Sequence, residues 1–369
     1  MSGVRWKMDD VRWMMWLCAA LVTCHLSLVT SCTKEGDTIY QSPPEDLPPQ
    51  TPLVTVVYDP DALGDRSYND LIYKGVEQAA KEHGLRTLQL SPSSRQEGLA
   101  YLENLFTDLS TRQDTIRRLV IVTSPAYDEF LRKNNHRLEN NPRADLLYLE
   151  TRTPLEGKGS TLYLQYYGAM FEAGAIAVHF SSEVLLVGAN PQNESVRGAL
   201  QGFRDGFATD IFPYDREKKL NVEYLGSTVD EGFSMEDTTA MKFLLEREDQ
   251  YVLPLLVPIC GGAAGVLHRM NDLLQFCFMM GVDVPVVSTS CHYSAVKRID
   301  RAVAQCITQW LSADGMPKHQ SLGLADDFTG VEIHTVYSLM SIAFHGELTD
   351  DILKAAHDEA IRKEAEYEK

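Results

Sequence analysis

Short apolar stretches alternate along this chain with amphipathic stretches of helical period. The first apolar stretch, Leu53–Tyr58, contains apolar and β-branched residues without polar alternation, which is typical of a strand buried on both faces. A polar loop follows, and from Ile72 to His83 apolar residues recur at helical spacing. Gly84 stands where a helix would end in a left-handed cap. The pattern therefore predicts a strand, a loop and a helix, which together form the first half of a βαβ unit.

The same alternation continues to the end of the chain. Further predicted strands are 87–90, 119–123, 146–149, 162–165, 184–187, 222–225, 251–259 and 284–287. Further predicted helices are 99–109, 127–136, 171–180, 196–207, 235–245, 261–280, 295–311 and 350–367, of which the last is highly charged and expected on the surface. This alternation predicts an α/β protein with mostly parallel sheets. Because it restarts after a linker at 151–160, we expect two lobes with a cleft between them.

The N-terminal residues have the form of a targeting segment. Basic residues precede the mostly apolar run 13–29, which is short for a spanning helix and typical of a signal peptide. The run ends in Val29-Thr-Ser-Cys32, which resembles the lipobox of bacterial lipoproteins. We therefore expect a signal peptide at 1–31 and a lipid on Cys32; the alternative is an uncleaved signal anchor. Residues 32–52, rich in Pro, Ser, Thr and acidic side chains, are predicted to be a flexible tether.

The charge of the chain limits its partners. The formal net charge is −18 at pH 7 over 369 residues. A surface this acidic argues against nucleic acid, whose phosphates need a basic face, and against peripheral binding to anionic lipid. We expect the membrane to be reached only through the N-terminal lipid, on the periplasmic or cell-surface side.

Motifs for catalysis are missing from the sequence. It contains no Gly-x-x-x-x-Gly-Lys-Ser/Thr, no Gly-x-Ser-x-Gly and no His-Glu-x-x-His, and its ten histidines lack metal-ligand spacing. Four cysteines follow Cys32, namely Cys260, Cys277, Cys291 and Cys306, without the close pairs of a zinc site. Buried thiols are expected, although the compartment would permit disulfides. We expect no cofactor, no metal and no enzymatic activity; an enzyme using Cys260 or His292 is the weaker alternative.

The loop after the first strand is the first candidate site. Ligands of parallel sheets bind beyond the carboxyl ends of the strands, where the next helix begins. Asp65 and Asn69 supply acceptors and donors there, and Tyr68 supplies a ring face for stacking. Alternatively, Ser67 only caps the helix and Tyr68 belongs to the core.

The same loop carries a resemblance to a known family. Gly64-Asp-Arg-Ser-Tyr-Asn69, with the Tyr73-Lys-Gly75 and Ala79-Ala80 that follow, resembles the Asp-x-Ser-Phe-Asn … Gly … Ala-Ala signature of the basic membrane protein family. Stretches similar to later family motifs occur in the family's order at 167–177, 198–206, 261–266 and 294–303. These proteins are bacterial substrate-binding lipoproteins, and the best understood of them bind purine nucleosides for ABC transporters.

The resemblance implies a fold and a domain arrangement. The fold is the type I periplasmic-binding architecture, with two Rossmann-like lobes linked by three crossovers and the ligand held at the hinge. We assign residues 53–158 and about 285–315 to lobe one, and 159–284 and about 316–345 to lobe two. Residues 346–369 form a charged C-terminal helix. The implied function is capture of a small polar ligand, with a purine nucleoside as one candidate, for an ABC permease.

The resemblance also implies a set of ligand-binding residues. In the first loop, Asp65 and Asn69 hydrogen-bond the ligand and Tyr68 stacks on it. Lys297 reaches the cleft, and two glycines let backbone approach the ligand. The full predicted set is Asp65, Ser67, Tyr68, Asn69, Ser124, Tyr127, Gly261, Gly262, Ser290 and Lys297.

One family element has two alignments here. The family has a strand of the type Ile-Gly-Val-Asp, whose acid holds ribose hydroxyls. Either Gly281-Val-Asp283 is that element, or Val286-Val-Ser-Thr-Ser290 is, with hydroxyls in place of the acid. We favour the second, because Pro285-Val-Val has the character of a strand. That choice leaves room for a different ligand.

Two other functions on the same fold remain open. Sugar-binding relatives commonly carry an arginine three residues before the glycine that is Gly202 here, where this chain has Ala199, with Arg197 two positions away. A ligand sensor without a permease would have the same sequence features.

Overall fold

The computed structural model describes residues 47–48, 50–212, 217–235, 238–247, 254–274, 277–288, 290–334 and 349–369. All of them belong to one compact unit that begins at Tyr40 and ends at Lys369. The predicted signal peptide, Cys32 and most of the tether lie outside the described residues. Among the helices that are described, none is both long enough and apolar enough to cross a membrane.

The first sheet has six strands, all parallel to their neighbours, in the order β11-β5-β4-β3-β1-β2. These strands are β1 (Leu53–Val57), β2 (Arg86–Leu90), β3 (Arg118–Val122), β4 (Ala144–Leu149), β5 (Ser160–Leu164) and β11 (His319–Leu322). Side chains from both faces of this sheet enter apolar clusters, one containing Val54 and Val56 and the other Val57. The sheet is therefore buried on both faces, as the uninterrupted apolar pattern of β1 predicts.

The second sheet also has six strands, in the order β12-β10-β9-β8-β6-β7, and only β12 runs antiparallel to its neighbour. These strands are β6 (Glu183–Gly188), β7 (Lys219–Tyr224), β8 (Leu255–Ile259), β9 (Met279–Asp283), β10 (Cys291–Lys297) and β12 (Thr329–Ile333). One apolar cluster runs through this sheet and the helices around it. The prediction of an α/β fold with two parallel-dominated lobes is confirmed.

Helices cover both sheets. The described helices are α1 (Tyr68–His83), α2 (Arg95–Thr111), α3 (Asp128–Asn134), α4 (Tyr167–Ala177), α5 (Glu194–Ala208), α6 (Thr239–Leu245), α7 (Gly262–Leu274), α8 (Ile299–Leu311) and α9 (Asp350–Tyr367). Helix α1 buries Ile72, Val76 and Ala79 and ends at Gly84, which has the predicted left-handed conformation (φ 62°). Its amide donates to Ala80 and closes the last turn.

The chain passes between the lobes three times within the described residues, as the three-strand hinge requires. The first crossover, 165–166, joins β5 to α4, the second, at Arg298, joins β10 to α8, and the third, 323–328, joins β11 to β12. The segments touch each other: the Gln165 amide donates to Leu322 at 2.8 Å, and the Arg298 amide donates to Phe328 at 2.8 Å. The hinge is therefore a small bundle of three adjoining backbones.

The structure places several segments differently from the sequence expectation. Strand β5 lies in the first sheet although 159–284 was assigned to lobe two, and β10 lies in the second sheet although about 285–315 was assigned to lobe one. Residues 295–297, predicted to be helical, end β10. The crossovers come later in the chain than the composition suggests, because the chain leaves a lobe only after the strand that precedes the crossover has reached its carboxyl end.

Candidate functional site

A cavity of about 220 Å³ lies between the two lobes, at the carboxyl ends of their strands. The first lobe contributes the residues after β1 and β4, and the second contributes those after β8 and at the ends of β9 and β10. Parallel sheets expose their binding crevices at this edge, because helices begin there and backbone amides point outward. The position agrees with the expectation that the first loop faces an inter-lobe gap.

Six of the ten predicted ligand-binding residues line this cavity: Asp65, Tyr68, Asn69, Gly261, Gly262 and Lys297. The other four, Ser67, Ser124, Tyr127 and Ser290, are not among the described residues that line it.

Asp65 organises the loop before α1. One of its carboxylate oxygens accepts from the amides of Ser67 (2.8 Å) and Asp70 (3.2 Å). The other accepts from the amide and the side-chain nitrogen of Asn69, both at 3.0 Å. Burial raises the pKa of Asp65, and these hydrogen bonds oppose that rise. Asp65 therefore caps the helix and shapes the cavity wall.

Ser67 contributes to the site in a different way from either predicted role. It stands at the N-cap of α1 but makes no side-chain capping hydrogen bond there. Its hydroxyl instead donates to Asp283 at 3.4 Å. Since Asp283 belongs to the second sheet, this weak contact joins the two lobes beside the cavity.

Asn69 and Tyr68 offer groups to a ligand. Asn69 Oδ1 is buried and has no hydrogen-bond partner among the described residues, whereas its nitrogen is held by Asp65. A buried acceptor without a partner is costly, so a ligand N–H or O–H would be stabilised there. Burial and the neighbouring Glu150 carboxylate raise the pKa of Tyr68, so that its phenol stays neutral. The Tyr68 ring has Lys297 Nζ 5.5 Å from its centroid.

Lys297 and Glu150 form a buried ion pair in the cavity wall. Their charged atoms are 3.3 Å apart, and both side chains are more than nine-tenths buried. The Lys297 ammonium also lies 4.7 Å from the centroid of the Tyr166 ring. Glu150, which follows β4 in the first lobe, accepts a second hydrogen bond of 2.6 Å from Ser195 on α5 in the second lobe. Glu150 is therefore a direct link between the lobes.

Asp283 is the acid at the end of β9, and this overturns the favoured alignment. Strand β9 is Met279–Asp283, whereas 284–287 form no strand, and Val287 is 69% exposed. Asp283 lines the cavity in a left-handed conformation (φ 67°), which ends the strand there. Burial raises the pKa of Asp283, and the Lys297 charge opposes that rise. Of the two stretches, Gly281-Val-Asp283 is the one that ends a strand and places an acid in the cavity wall.

Ser290, which was predicted to bind the ligand, is consequently not among the described residues that line the cavity. Its hydroxyl donates to Asp272 at 3.0 Å, at the end of α7. The β-branched run at Pro285 was misleading because a proline and two valines can also form an exposed loop between two strands.

Ser124 and Tyr127 support the first lobe. The Ser124 hydroxyl donates to Asp59 at 2.6 Å, and Tyr127 is fully buried with its hydroxyl donating to the Tyr58 carbonyl at 3.1 Å. Asp59 lines the cavity, so Ser124 orients a cavity residue from behind. Tyr127 belongs to the core.

The two glycines after β8 allow the lobes to approach. Gly261 has a left-handed conformation (φ 51°). A Cβ added at Gly262 would lie 3.2 Å from the Asp65 Cβ and 2.9 Å from Met235 Cγ. A side chain at Gly262 would therefore push the second lobe away from the first loop.

Several cavity residues were missed from the sequence. Asp59, Thr123 and Glu150 each follow a strand of the first sheet, so the rule that carboxyl ends form the site could have found them. Thr123 Oγ1 is buried without a hydrogen-bond partner among the described residues. Phe233 lies in a loop after β7 that carries no comparable signal.

The cavity is acidic. Its described lining includes two cations, Arg95 and Lys297, and six carboxylates, Asp59, Asp61, Asp65, Glu150, Asp230 and Asp283. Burial raises the pKa of Asp59 to about 6, against the lowering effect of its hydrogen bond from Ser124. Such a lining favours ligands that donate hydrogen bonds and repels anions. No group of side chains able to hold a metal ion occurs among the described residues.

Comparisons with known proteins bear on the fold. No protein-family model matches the sequence, and no curated protein matches it. A solute-binding protein of an ABC transporter system from Aeropyrum pernix K1 matches with a TM-score of 0.61 at 17% identity, over 86% of this chain and 90% of that one. A transcriptional activator of the comK gene from Bacillus halodurans matches at 0.58 and 13%, over 85% and 97%. An ABC transporter solute-binding protein from Conexibacter woesei DSM 14684 matches at 0.56 and 15%, over 86% and 97%.

These likenesses show a shared fold. The two lobes with six-stranded, parallel-dominated sheets are the type I periplasmic-binding architecture. Membership of the basic membrane protein family remains a prediction.

Proposed function

We propose that this chain is a lipid-anchored, extracytoplasmic solute-binding protein that captures a small polar ligand in its inter-lobe cavity for an ABC permease. The observation that carries the proposal is a cavity whose walls come from both lobes, include buried charged side chains, and meet through Ser195–Glu150 and Ser67–Asp283. The lipidated Cys32 and the permease follow from the sequence prediction. The ABC solute-binding proteins of the same fold support the role.

Binding in such a cavity requires no catalysis. A ligand that contacts both walls favours the closed arrangement over an open one by its differential affinity, and the hinge segments absorb the change. Neither Cys260 nor His292 is among the described residues that line the cavity, and burial raises the pKa of the Cys260 thiol well above neutrality, so that this thiol stays protonated. This argues against the enzyme alternative.

A purine nucleoside is the first ligand that we propose. Asp283 offers a carboxylate for paired hydroxyls, Asn69 Oδ1 offers an unpartnered acceptor, and the Tyr68 ring borders the same space. A nucleoside is neutral, rich in donors and partly aromatic, which suits an acidic lining better than a phosphorylated ligand does. Asp283 in the cavity supports this proposal, because the resemblance to nucleoside-binding lipoproteins implies an acid that holds ribose hydroxyls.

The test begins with the ligand itself. Mass spectrometry of small molecules that co-purify with the protein would identify it without bias. Calorimetric titration with inosine, guanosine and adenosine, and with their 2′-deoxy forms, then tests the nucleoside proposal. We expect binding of the ribosides, weaker binding of the deoxy forms, and at least about a tenfold loss in Asp283→Asn. Asp272→Asn, which removes a carboxylate outside the cavity wall, is the matched control.

If no purine nucleoside binds and mass spectrometry finds another solute, the nucleoside proposal is wrong. The proposal that the chain is a solute-binding protein would still hold. A sugar is the second candidate, because the same carboxylates suit its hydroxyls. Ala199, which stands where sugar-binding relatives carry an arginine, lines the cavity and speaks against it. A panel of hexoses and pentoses in the same titration decides between the two.

A further inference from the structure

Helix α9 is not confined to the surface, contrary to expectation. Ala356, Ala360 and Glu364 are spaced one helical turn apart, and all three are buried, with Glu364 only 3% exposed. The first two pack against apolar residues of the second lobe and its hinge. A carboxylate in such a stripe is costly unless it is hydrogen-bonded.

Glu364 is hydrogen-bonded to the first turn of α4 and to the third crossover. Its Oε1 accepts from the Gly168 amide at 2.9 Å, directly after the first crossover. Its Oε2 accepts from the Leu324 amide at 2.9 Å, within the third crossover. One side chain of the C-terminal helix therefore joins two of the three backbones that link the lobes.

The backbone around this carboxylate leaves no room for further side chains. A Cβ added at Gly168 would lie 2.6 Å from Glu364 Oε1, and a Cβ added at Gly323 would lie 2.4 Å from Glu364 Oε2. At such distances one of the two atoms must shift, so a side chain at either glycine would displace the Glu364 carboxylate. The first turn of α4 and the third crossover therefore both carry glycine at the place where Glu364 docks.

The end of α9 also reaches the first lobe. The Tyr367 ring stacks on Tyr167, with centroids 4.2 Å apart and an interplanar angle of 11°. Arg152, which follows β4, lies 4.8 Å above the Tyr367 ring and pairs with Glu368 at 3.1 Å. Arg152 is two positions from the cavity residue Glu150, so α9 connects the hinge with the cavity wall of the first lobe.

We propose that α9 acts as a hinge clamp, in which Glu364 is a positioning residue that holds the first and third crossovers in the closed arrangement and thereby sets how tightly the cavity holds its ligand. This inference rests on the proposed binding function, because only a ligand-binding hinge has an affinity to set. Its structural part, the restraint of two crossovers, is independent of the ligand.

The charges around α9 give the clamp a pH dependence. Burial raises the pKa of Glu364 to about 7, against the two amide hydrogen bonds, and the charges of Glu368 and Asp326 add to the rise. The hydrogen bond that His357 donates to the Glu172 carboxylate on α4 raises the pKa of His357, although burial opposes it.

Both pKa values are raised in the docked helix, so docking takes up protons. The contribution of Glu364 and His357 to the stability of the docked helix is present in full below the ordinary pKa values of these two groups. It is lost as the pH rises through the pKa values that they have in the docked helix. Burial also raises the pKa of Glu368, with the same sign. Glu359 has a lowered pKa, but its partner Arg362 is on α9 itself, so docking does not change that pair. We therefore expect a firmer clamp at about pH 6 than at about pH 8.

Hydrogen exchange on the full chain tests the clamp. In Glu364→Gln the side-chain shape is kept, but the amide NH₂ faces one of the two backbone N–H groups. We expect exchange to rise by about tenfold at the site that faces this NH₂, which is either the amides of 167–169 or those of 323–326. The pH dependence of exchange at that site, beyond the dependence shown by unprotected amides, should disappear between about pH 6 and 8. Glu366→Gln is the matched control, because Glu366 is exposed and pairs only with Arg362 and Lys363 of its own helix among the described residues.

Inosine titration of the same variants gives the second readout, with several-fold weaker binding expected in Glu364→Gln and none of that loss in Glu366→Gln. An increase in exchange at neither site, or an equal increase in the control, overturns the clamp. If inosine binds no variant, the nucleoside proposal fails while the exchange result still decides the clamp. If Glu364→Gln does not fold, Glu364→Asp replaces it, and wild-type exchange in that shortened variant overturns the clamp.

Discussion

At the scale of single residues, the site depends on charges that are buried together. Glu150 and Lys297 are both almost completely buried and satisfy each other, while Ser195 satisfies the second carboxylate oxygen. Removing one member of such a pair leaves the other charge without compensation, which costs more than the pair itself contributes. Three polar residues that are remote in sequence thus depend on one another.

Glu150→Ala is expected to lower the free energy of unfolding by about 3 kcal/mol, because the Lys297 ammonium stays buried without its carboxylate. Chemical denaturation at pH 7 measures the loss. Glu129→Ala, an exposed glutamate on α3, is the control and should change stability by less than about 0.5 kcal/mol. Equal effects of the two substitutions would contradict the buried pair.

Asp59 gives the ligand-free protein a pH-dependent stability. Its pKa is raised to about 6 in the folded state, from an ordinary value of 3.8. The folded protein therefore binds this proton more tightly than the unfolded chain, so its contribution is present in full below about pH 4 and is lost as the pH rises through about 6. Denaturation curves of Asp59→Asn should show a flatter stability profile than wild type between pH 4 and 7. An unchanged profile would mean that the carboxyl is not the group responsible.

At the scale of elements, packing is decided where helices approach each other and where strands end. Helix α8 follows the second crossover and packs on α1 within the core of the first lobe. Its sequence predicted the helix well, because apolar residues recur from Ile299 to Trp310. The strand before it, β10, was not predicted, because Cys291–Lys297 mixes polar and apolar residues without period although all seven are buried.

Gly75→Ala tests the contact of α1 with α8. A Cβ at Gly75 would lie 2.4 Å from the Asp300 carbonyl oxygen, so the helices must separate, and we expect a loss of about 1–3 kcal/mol in unfolding free energy. Gly265→Ala on α7 is the control, since its Cβ would meet only Arg269 Nη1, at 3.5 Å. That substitution should be neutral or slightly stabilising, because alanine favours helices. Similar losses in both variants would rule out the close approach.

At the scale of the whole molecule, the two lobes have separate cores, and within the described residues they share three connecting backbones and the cavity between them. Each sheet has its own apolar clusters, and the polar contacts at the cavity join them. Separate cores let each lobe move as a rigid body, so ligand affinity depends on the few contacts that close the gap. A single hydrogen bond of this kind changes binding more than it changes folding, whereas the buried Glu150–Lys297 pair contributes to both.

Ser195→Ala removes one closing contact, the hydrogen bond to Glu150. We expect about a tenfold weaker affinity for the bound solute, while the melting temperature without ligand falls much less than in Glu150→Ala, because Glu150 keeps its ion pair with Lys297. Titration and thermal denaturation measure the two quantities. Ser110→Ala, whose hydroxyl bonds within its own helix, is the control. A large drop in ligand-free stability with unchanged affinity would assign Ser195 to folding instead.

The sequence by itself determined the alternation of strands and helices, the two-lobed class of the fold and the loop of Asp65, Tyr68 and Asn69, because these depend on local hydrophobic period and on where a strand ends. Tertiary structure alone decided that Asp283 rather than Ser290 reaches the cavity, since a left-handed residue ends β9 earlier than the β-branched run suggests. It also decided that Glu364 is buried. The pattern of α9 is that of an exposed helix, and only the two amides that the crossovers present to it make that burial tolerable.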